Sequence, residues 1–167
     1  MVIVYLVSIV LANLLVTWFG PAASIIDAFL LIALDLTARD KLHDQWEHEN
    51  LWRNMVILIF TGSALSAILN INALPIATAS FVAFMVSGSV DTVVYALLGN
   101  RAKLLQVNGS NVASAAVDSL IFPVLAFGWP PLWGIVVGQF VAKVFGGMVW
   151  AWIIYNPLWK RGEAKTA

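Results

Sequence analysis

Two carboxylates stand inside apolar segments of this chain, each within the same nine-residue pattern. SGSVDTVVY (Ser87 to Tyr95) and SAAVDSLIF (Ser114 to Phe122) both read serine, two small residues, Val-Asp, a hydroxyl residue, two aliphatics and an aromatic. An Asp at the centre of a membrane helix costs roughly 2.5–3.5 kcal/mol on insertion scales, so Asp91 and Asp118 are expected to face a bundle interior. A polar contact between neighbouring helices would explain them most plainly, and a chance repeat of common residues is a second alternative. The chemistry favours a binding site. A carboxylate offers two acceptor oxygens in one plane, which suits a ligand with two adjacent N–H donors, such as the edge of a guanine-like base. Tyr95 and Phe122, one turn beyond the acids, are placed to stack on such a ring, although packing is the commoner role of an aromatic.

Other polar residues fall on the same helical stripes. Ser80, Ser87 and Asp91 are spaced i, i+7 and i+11, and Asn111, Ser114 and Asp118 form a second stripe. Pro123 removes the hydrogen bond that the Ser119 carbonyl would otherwise accept, leaving an acceptor that protein or a water-filled cavity must satisfy. Gln139 and Lys143 stand i, i+4 in the last apolar segment. Counted from the ends expected to be cytoplasmic, Asp91 lies about 13 Å deep, Asp118 about 16 Å and Lys143 about 20 Å, so the three are expected at one level. If Lys143 compensates one Asp, the other must be protonated, find donors or bind a donor. Asp118 is the expected primary acceptor, with Asp91 supporting and Lys143 compensating charge.

The elements that position these residues follow from composition. The chain of 167 residues is 61% hydrophobic and 11% charged, with a mean hydropathy of +0.89. That reads as one all-α integral membrane domain over residues 1–167. Six apolar spans are expected, at about 1–19, 23–38, 51–69, 73–99, 107–128 and 131–156. Turn residues separate them: Gly20-Pro21, Asn70-Ile71-Asn72, Gly99-Asn100-Arg101 and Gly128-Trp129-Pro130-Pro131. The apolar N-terminus lacks a basic flank and is too long for a cleaved leader, so it reads as the first span. The fourth span, at 27 residues, would measure about 40 Å and should tilt or protrude.

Basic residues fall after spans two, four and six: Arg39, Lys41 and Arg53, then Arg101 and Lys103, then Lys160, Arg161 and Lys165. The other three loops contain no Lys or Arg, so both termini are expected in the cytoplasm of a cytoplasmic-membrane, multi-pass protein. Trp18, Trp129 and Trp133 would mark the outer boundary, and Trp46, Trp52 and Trp159 the inner one. His43 and His48 lie in a charged loop and read as solvated, not as metal ligands. With no cysteine and a net charge of zero, no thiolate chemistry and no nucleic-acid face are indicated.

The second span ends in DLTARDKLHDQW (Asp35 to Trp46), where Asp35 and Arg39 stand i, i+4 with the acid first, the order that favours a pair along one helix. Asp35, Arg39 and Asp40 read as a gate or cytoplasmic motif, the alternative being a cap of solvated charges. Asp27 lies nearer the outer boundary, either lining an access path or reaching the headgroups. In the third span Gly62, Ser63, Ala64, Ser66 and Ala67 point to close helix packing.

Taken together, DLTARDKLHDQW, SFVAFMVSGSVDTVVY and NVASAAVDSLIFPVLAFG resemble the queuosine precursor transporter family, also called putative vitamin uptake transporters. The similarity runs from about Ser24 to Trp150. It implies six membrane helices like those of the substrate-binding components of energy-coupling-factor importers. It also implies uptake of guanine analogues such as 7-cyano-7-deazaguanine. The matching positions are Asp35, Arg39 and Asp40, then Ser87, Asp91 and Thr92, then Ser114, Asp118 and Ser119.

Residues and resemblance therefore converge on import of a planar, donor-rich, nucleobase-like molecule through a site of Asp118, Asp91, Ser114, Asn111, Ser87, Tyr95, Phe122, Lys143 and Gln139. No cofactor, metal or catalytic group is expected, since there is no intramembrane histidine, nucleophile motif or phosphate loop. The lipid bilayer is the surrounding partner, and both a homo-oligomer and an ATPase partner are compatible with the chain. The rival functions are a substrate-binding subunit of an ATP-driven vitamin importer, a carrier of another vitamin-like substrate, and a non-transporting structural membrane protein. The charge asymmetry sets a direct test of topology. A cysteine at Asn72 should react with an impermeant thiol reagent in intact cells, and one at Lys103 should not; the opposite labelling inverts the orientation.

Overall fold

The structure is a computed structural model that describes residues 1–46, 50–98 and 103–155. Among these residues every regular element is helical. In chain order they are α1 (Val2–Phe19), α2 (Ala23–Asp27), a π-helical turn (Ala28–Ile32), α3 (Ala33–Trp46), α4 (Leu51–Leu69), a 3₁₀ turn (Ile71–Ala73), α5 (Leu74–Leu97), α6 (Lys103–Phe127) and α7 (Trp133–Tyr155). Arg101, Lys160, Arg161, Lys165, Trp159 and His48, which entered the charge and boundary arguments, lie outside the described residues.

Among the described residues five helical stretches are long and apolar enough to cross a membrane: Val2–Phe19, Leu51–Leu69, Ile71–Leu97, Asn108–Phe127 and Trp133–Ile154. The protein is thus a multi-pass membrane protein. The expected second span takes a different form. Three helical pieces of 5, 5 and 14 residues follow one another from Ala23 to Trp46. Ala28 and Ala33 keep right-handed helical angles at both junctions, so the chain turns without a break. Its second half contains Asp35, Arg39, Asp40, Lys41 and Asp44, and this charge keeps it from reading as a conventional span. Helix therefore continues eight residues beyond the expected end at 38 (to Trp46). Inserted π turns of this kind recur at functional sites.

The distribution of side chains is inverted relative to a water-soluble bundle. Ile68, Leu97 and Trp152 are 78%, 80% and 69% exposed, whereas Gln139 and Lys143 are 1% and 2% exposed. Apolar side chains gain nothing from leaving lipid, so close contact and interhelical hydrogen bonds must bring the helices together. On α4, a Cβ at Gly62 would come within 3.0 Å of Ile9 of α1. One turn along, Asn13 Nδ2 donates to Ser66 Oγ at 3.0 Å, and Ser66 Oγ donates to the Gly62 carbonyl at 2.8 Å. The small residues of the third span thus make the close packing expected of them. Around them Tyr5, Ile9, Leu42, Met55 and Phe84 form an apolar cluster between α1, α3, α4 and α5.

The pair α5 and α6, which present the two repeats, has the most extensive contact in the fold. On the other side, α7 packs on the π-helical turn. A Cβ at Gly146 would lie 2.5 Å from the Phe29 carbonyl oxygen and 2.7 Å from the Ala33 Cβ, a clash with backbone that no rotamer relieves. Gly147 has nothing within 4 Å of the same construction. Gly146→Ala should therefore cost about 1–3 kcal/mol, the range for overpacking. Gly147→Ala should leave stability close to the parent. Thermal unfolding of both purified variants in detergent checks the contrast, and equal melting would remove the packing argument.

Candidate functional site

The repeated pattern lies on two antiparallel helices, which places the first residue of one copy near the fifth of the other. Arg39 on α3 fills the resulting gap. Its Nη2 lies 3.3 Å from Asp91 Oδ1 of the first copy and donates to Ser114 Oγ of the second, also at 3.3 Å. Three helices are tied at this point. The sequence spacing expects Arg39 to serve Asp35 on its own helix; the guanidinium also reaches across to α5 and α6. Asp91 is accordingly compensated by Arg39, and Lys143 is left for Asp118.

Lys143 on α7 uses all three ammonium protons. Its Nζ donates to Asp118 Oδ2 at 2.5 Å, to Gln139 Oε1 at 3.0 Å and to Ser119 Oγ at 3.1 Å. Gln139 and Lys143, four residues apart on one face, are held in place by each other. Gln139 Nε2 then donates to Ser24 Oγ at 2.8 Å, and Ser24 Oγ donates to the Pro21 carbonyl at 2.5 Å. A continuous hydrogen-bonded chain therefore joins the turn before α2 to α7 and α6. Every side chain in it is buried.

Asp91 stands opposite Ser114 through Arg39, and Asp118 lies four residues further along α6, about 6 Å at ~1.5 Å per residue. Each acid has its own cation. Asp118 opens on a small pocket whose wall includes Asn13, Ser24, Asp27, Ser80, Phe122, Gln139 and Lys143. The second oxygen of Asp118, Oδ1, is buried with no hydrogen-bond partner.

Of the residues picked from sequence, Asp118, Gln139, Lys143 and Phe122 meet at this cavity. Phe122 packs edge-on against Phe127, ring centres 5.9 Å apart. Asn111 lines a neighbouring cavity with Leu36 and Asn108 that also reaches Lys143. Ser114 and Asp91 belong to the Arg39 tie. Ser87 is buried and donates to the Phe84 carbonyl of its own helix at 3.3 Å. Tyr95 is half-buried and does not line the central cavity. Asp35 is 2% exposed and inside the bundle, not a solvated cap. The side chain of Asp40 lies outside the described residues.

Sequence reasoning missed Asn13 and Ser24 as wall residues and gave Asp27 only an access path or a headgroup contact. Asp27 is 5% exposed and faces the same cavity as Asp118. The signal was present in the charge: a third acid in an apolar segment with no basic residue one turn away. Among the described residues no group of three or more His, Cys, Asp or Glu could hold a metal ion.

A family model described as putative vitamin uptake transporter matches residues 1–156. Comparison with curated proteins and with solved structures gives no match.

The Lys143–Asp118 pair generates a stability test. With side chains 1% and 5% exposed, removal of one partner strands the other charge in a low dielectric. Lys143→Met should cost about 3–5 kcal/mol, and the double variant Lys143→Met/Asp118→Leu should recover most of it. Thermal unfolding in detergent reads both; a single variant as stable as the parent would show that the pair is not confined to the interior.

Proposed function

We infer, because the chain belongs to the putative vitamin uptake transporter family, that it imports a 7-deazaguanine-type queuosine precursor across the cytoplasmic membrane. In this reading the composite helix from α2 to α3 is the sixth crossing, and both termini face the cytoplasm. Such a crossing would be about 36 Å long at ~1.5 Å rise, ample for a hydrocarbon core of roughly 30 Å. Basic residues after the composite crossing (Arg53) and after the fourth and sixth expected spans, with none in the other three loops, support the orientation.

One observation carries the substrate assignment: a buried carboxylate with an unpartnered oxygen, on a residue that lines the central pocket. Asp118 Oδ1 has no partner, and Oδ2, engaged by Lys143, keeps a second lone-pair site. A ligand edge with two adjacent N–H donors complements that pair of oxygens, and the Phe122 ring on the cavity wall is positioned to contact a planar base. Asp91, tied to Arg39 and Ser114, would act at a distance from the ligand. Releasing that three-helix tie would open the way inward, which is the gate role read for Arg39.

Asp118→Asn provides the test. The amide must keep its oxygen toward the Lys143 ammonium, so its NH₂ group faces the cavity where the ligand's donors would come. Binding of 7-cyano-7-deazaguanine should weaken by roughly 2–4 kcal/mol, the range for a mismatched buried polar contact. Asp91→Asn should slow transport more than it lowers affinity. Equilibrium binding and uptake of radiolabelled base by protein reconstituted alone in liposomes measure both. Normal binding by Asp118→Asn would remove the assignment, and uptake only on addition of an ATPase partner would make the chain a binding subunit.

A further inference from the structure

Asp27 takes no part in the repeated pattern or in the substrate reading above. It is the last residue of α2, at the junction with the π-helical turn. Although it is 5% exposed, its Oδ2 has no hydrogen-bond partner, and it shares the cavity wall with Asp118, whose Oδ1 is likewise unpartnered. The titratable groups facing it there are Asp118 from α6 and Lys143 from α7. The wall residues from α1 are Ala12, Asn13 and Val16, α5 brings Ser80 and Phe84, and the π-helical turn brings Ile32, none of which titrates.

Charge around the cavity does not balance. Two carboxylates stand against one ammonium, so the fully ionised wall is left one negative charge in excess. All three Lys143 protons are committed to Asp118, Ser119 and Gln139, which leaves none for Asp27. An uncompensated charge in a low-dielectric space requires a counter-charge. A hard metal cation would take about six or more oxygen ligands. Here Ser24 Oγ and Gln139 Oε1 are already engaged, and no acidic or imidazole group of three is present among the described residues. A single proton fits the vacancy in charge.

We propose that Asp27 is the proton-binding residue through which a proton gradient drives uptake, one proton entering on its carboxyl with each substrate. The proposal rests on the transport reading given above. With Asp27 protonated and Lys143 paired to Asp118, the cavity is neutral and can change its facing without carrying net charge through the bilayer. With Asp27 ionised, the same movement carries a buried charge and is disfavoured. The adjoining π-helical turn, clasped by Gly146 of α7, lies where such a change in α2 would be transmitted.

The test uses the full chain in liposomes with radiolabelled 7-cyano-7-deazaguanine, and infrared difference spectra of the same protein between acidic and alkaline pH. For one proton per substrate, a one-unit gradient, acid outside, should give about tenfold accumulation. Asp27→Asn should lose the response to the gradient, and Asp27→Glu should keep it. In the infrared, a carboxylic-acid C=O band that titrates in the parent should vanish in Asp27→Asn and shift in Asp27→Glu. The proposal is overturned if Asp27→Asn responds like the parent, if accumulation follows a sodium gradient and ignores protons, or if the band survives Asp27→Asn or is missing from the parent. A parent that takes up no 7-deazaguanine, yet shows the Asp27-dependent band, sinks the substrate reading and leaves the proton site standing.

Discussion

A buried ammonium with three protons to place sets the arrangement of the helices around it. Lys143 finds acceptors on α6 and on its own helix, and through Gln139 and Ser24 it is linked to the turn before α2. The ammonium's three bonds are buried, so displacing α6 or α7 would leave a charge or a donor without a partner. Such a pair contributes little net stability compared with apolar residues of the same volume, because desolvation offsets the attraction. What it supplies is position. It keeps one oxygen of Asp118 occupied while the other is left without a partner.

The same constraint explains why the interior is polar and the exterior apolar. In lipid, association relies on shape and hydrogen bonds, and both are visible at named contacts. Gly62 admits Ile9, Gly146 admits the backbone of the π-helical turn, and Asn13 bonds to Ser66. The Arg39 tie does for α3, α5 and α6 what Lys143 does for α6 and α7. Two buried cations, Arg39 joining α3 to α5 and α6 and Lys143 joining α7 to α6, set a tie between Asp91 and Ser114 beside a pocket lined by Asp118. In the proposed transport cycle these are the gate and the binding site.

Family membership and geometry support different parts of the functional reading. Membership bears on uptake and on the class of molecule, and the match covers the chain to residue 156. Geometry bears on which atoms would meet the substrate. In the proposed reading a carboxylate with an unpartnered oxygen, beside an aromatic ring and small polar groups, would suit planar donors over acids or hydrocarbons. Asp27 adds an acid that such a ligand does not require, and in the proposal above this excess would tie the pocket to a proton gradient.

Periodicity and polarity along the chain determined a great deal by themselves. Long apolar runs set the helices at Val2–Phe19, Leu51–Leu69, Leu74–Leu97 and their companions close to the expected limits, because in lipid a helix is the one open-ended way to satisfy a backbone. Acids and a lysine inside those runs marked Asp91, Asp118 and Lys143 as interior residues, since the cost of facing them outward is too large. The partners could not be read in the same way. That Arg39 also reaches Asp91 on another helix depends on how α3 is rotated against α5 and α6, and one-dimensional spacing contains no such information. The π-helical turn, which shifts the phase of the helix between Asp27 and Asp35, has no residue signature and is stabilised by the close approach of Gly146. Only tertiary packing, by choosing that phase, decided that Asp27 would share a cavity with Asp118.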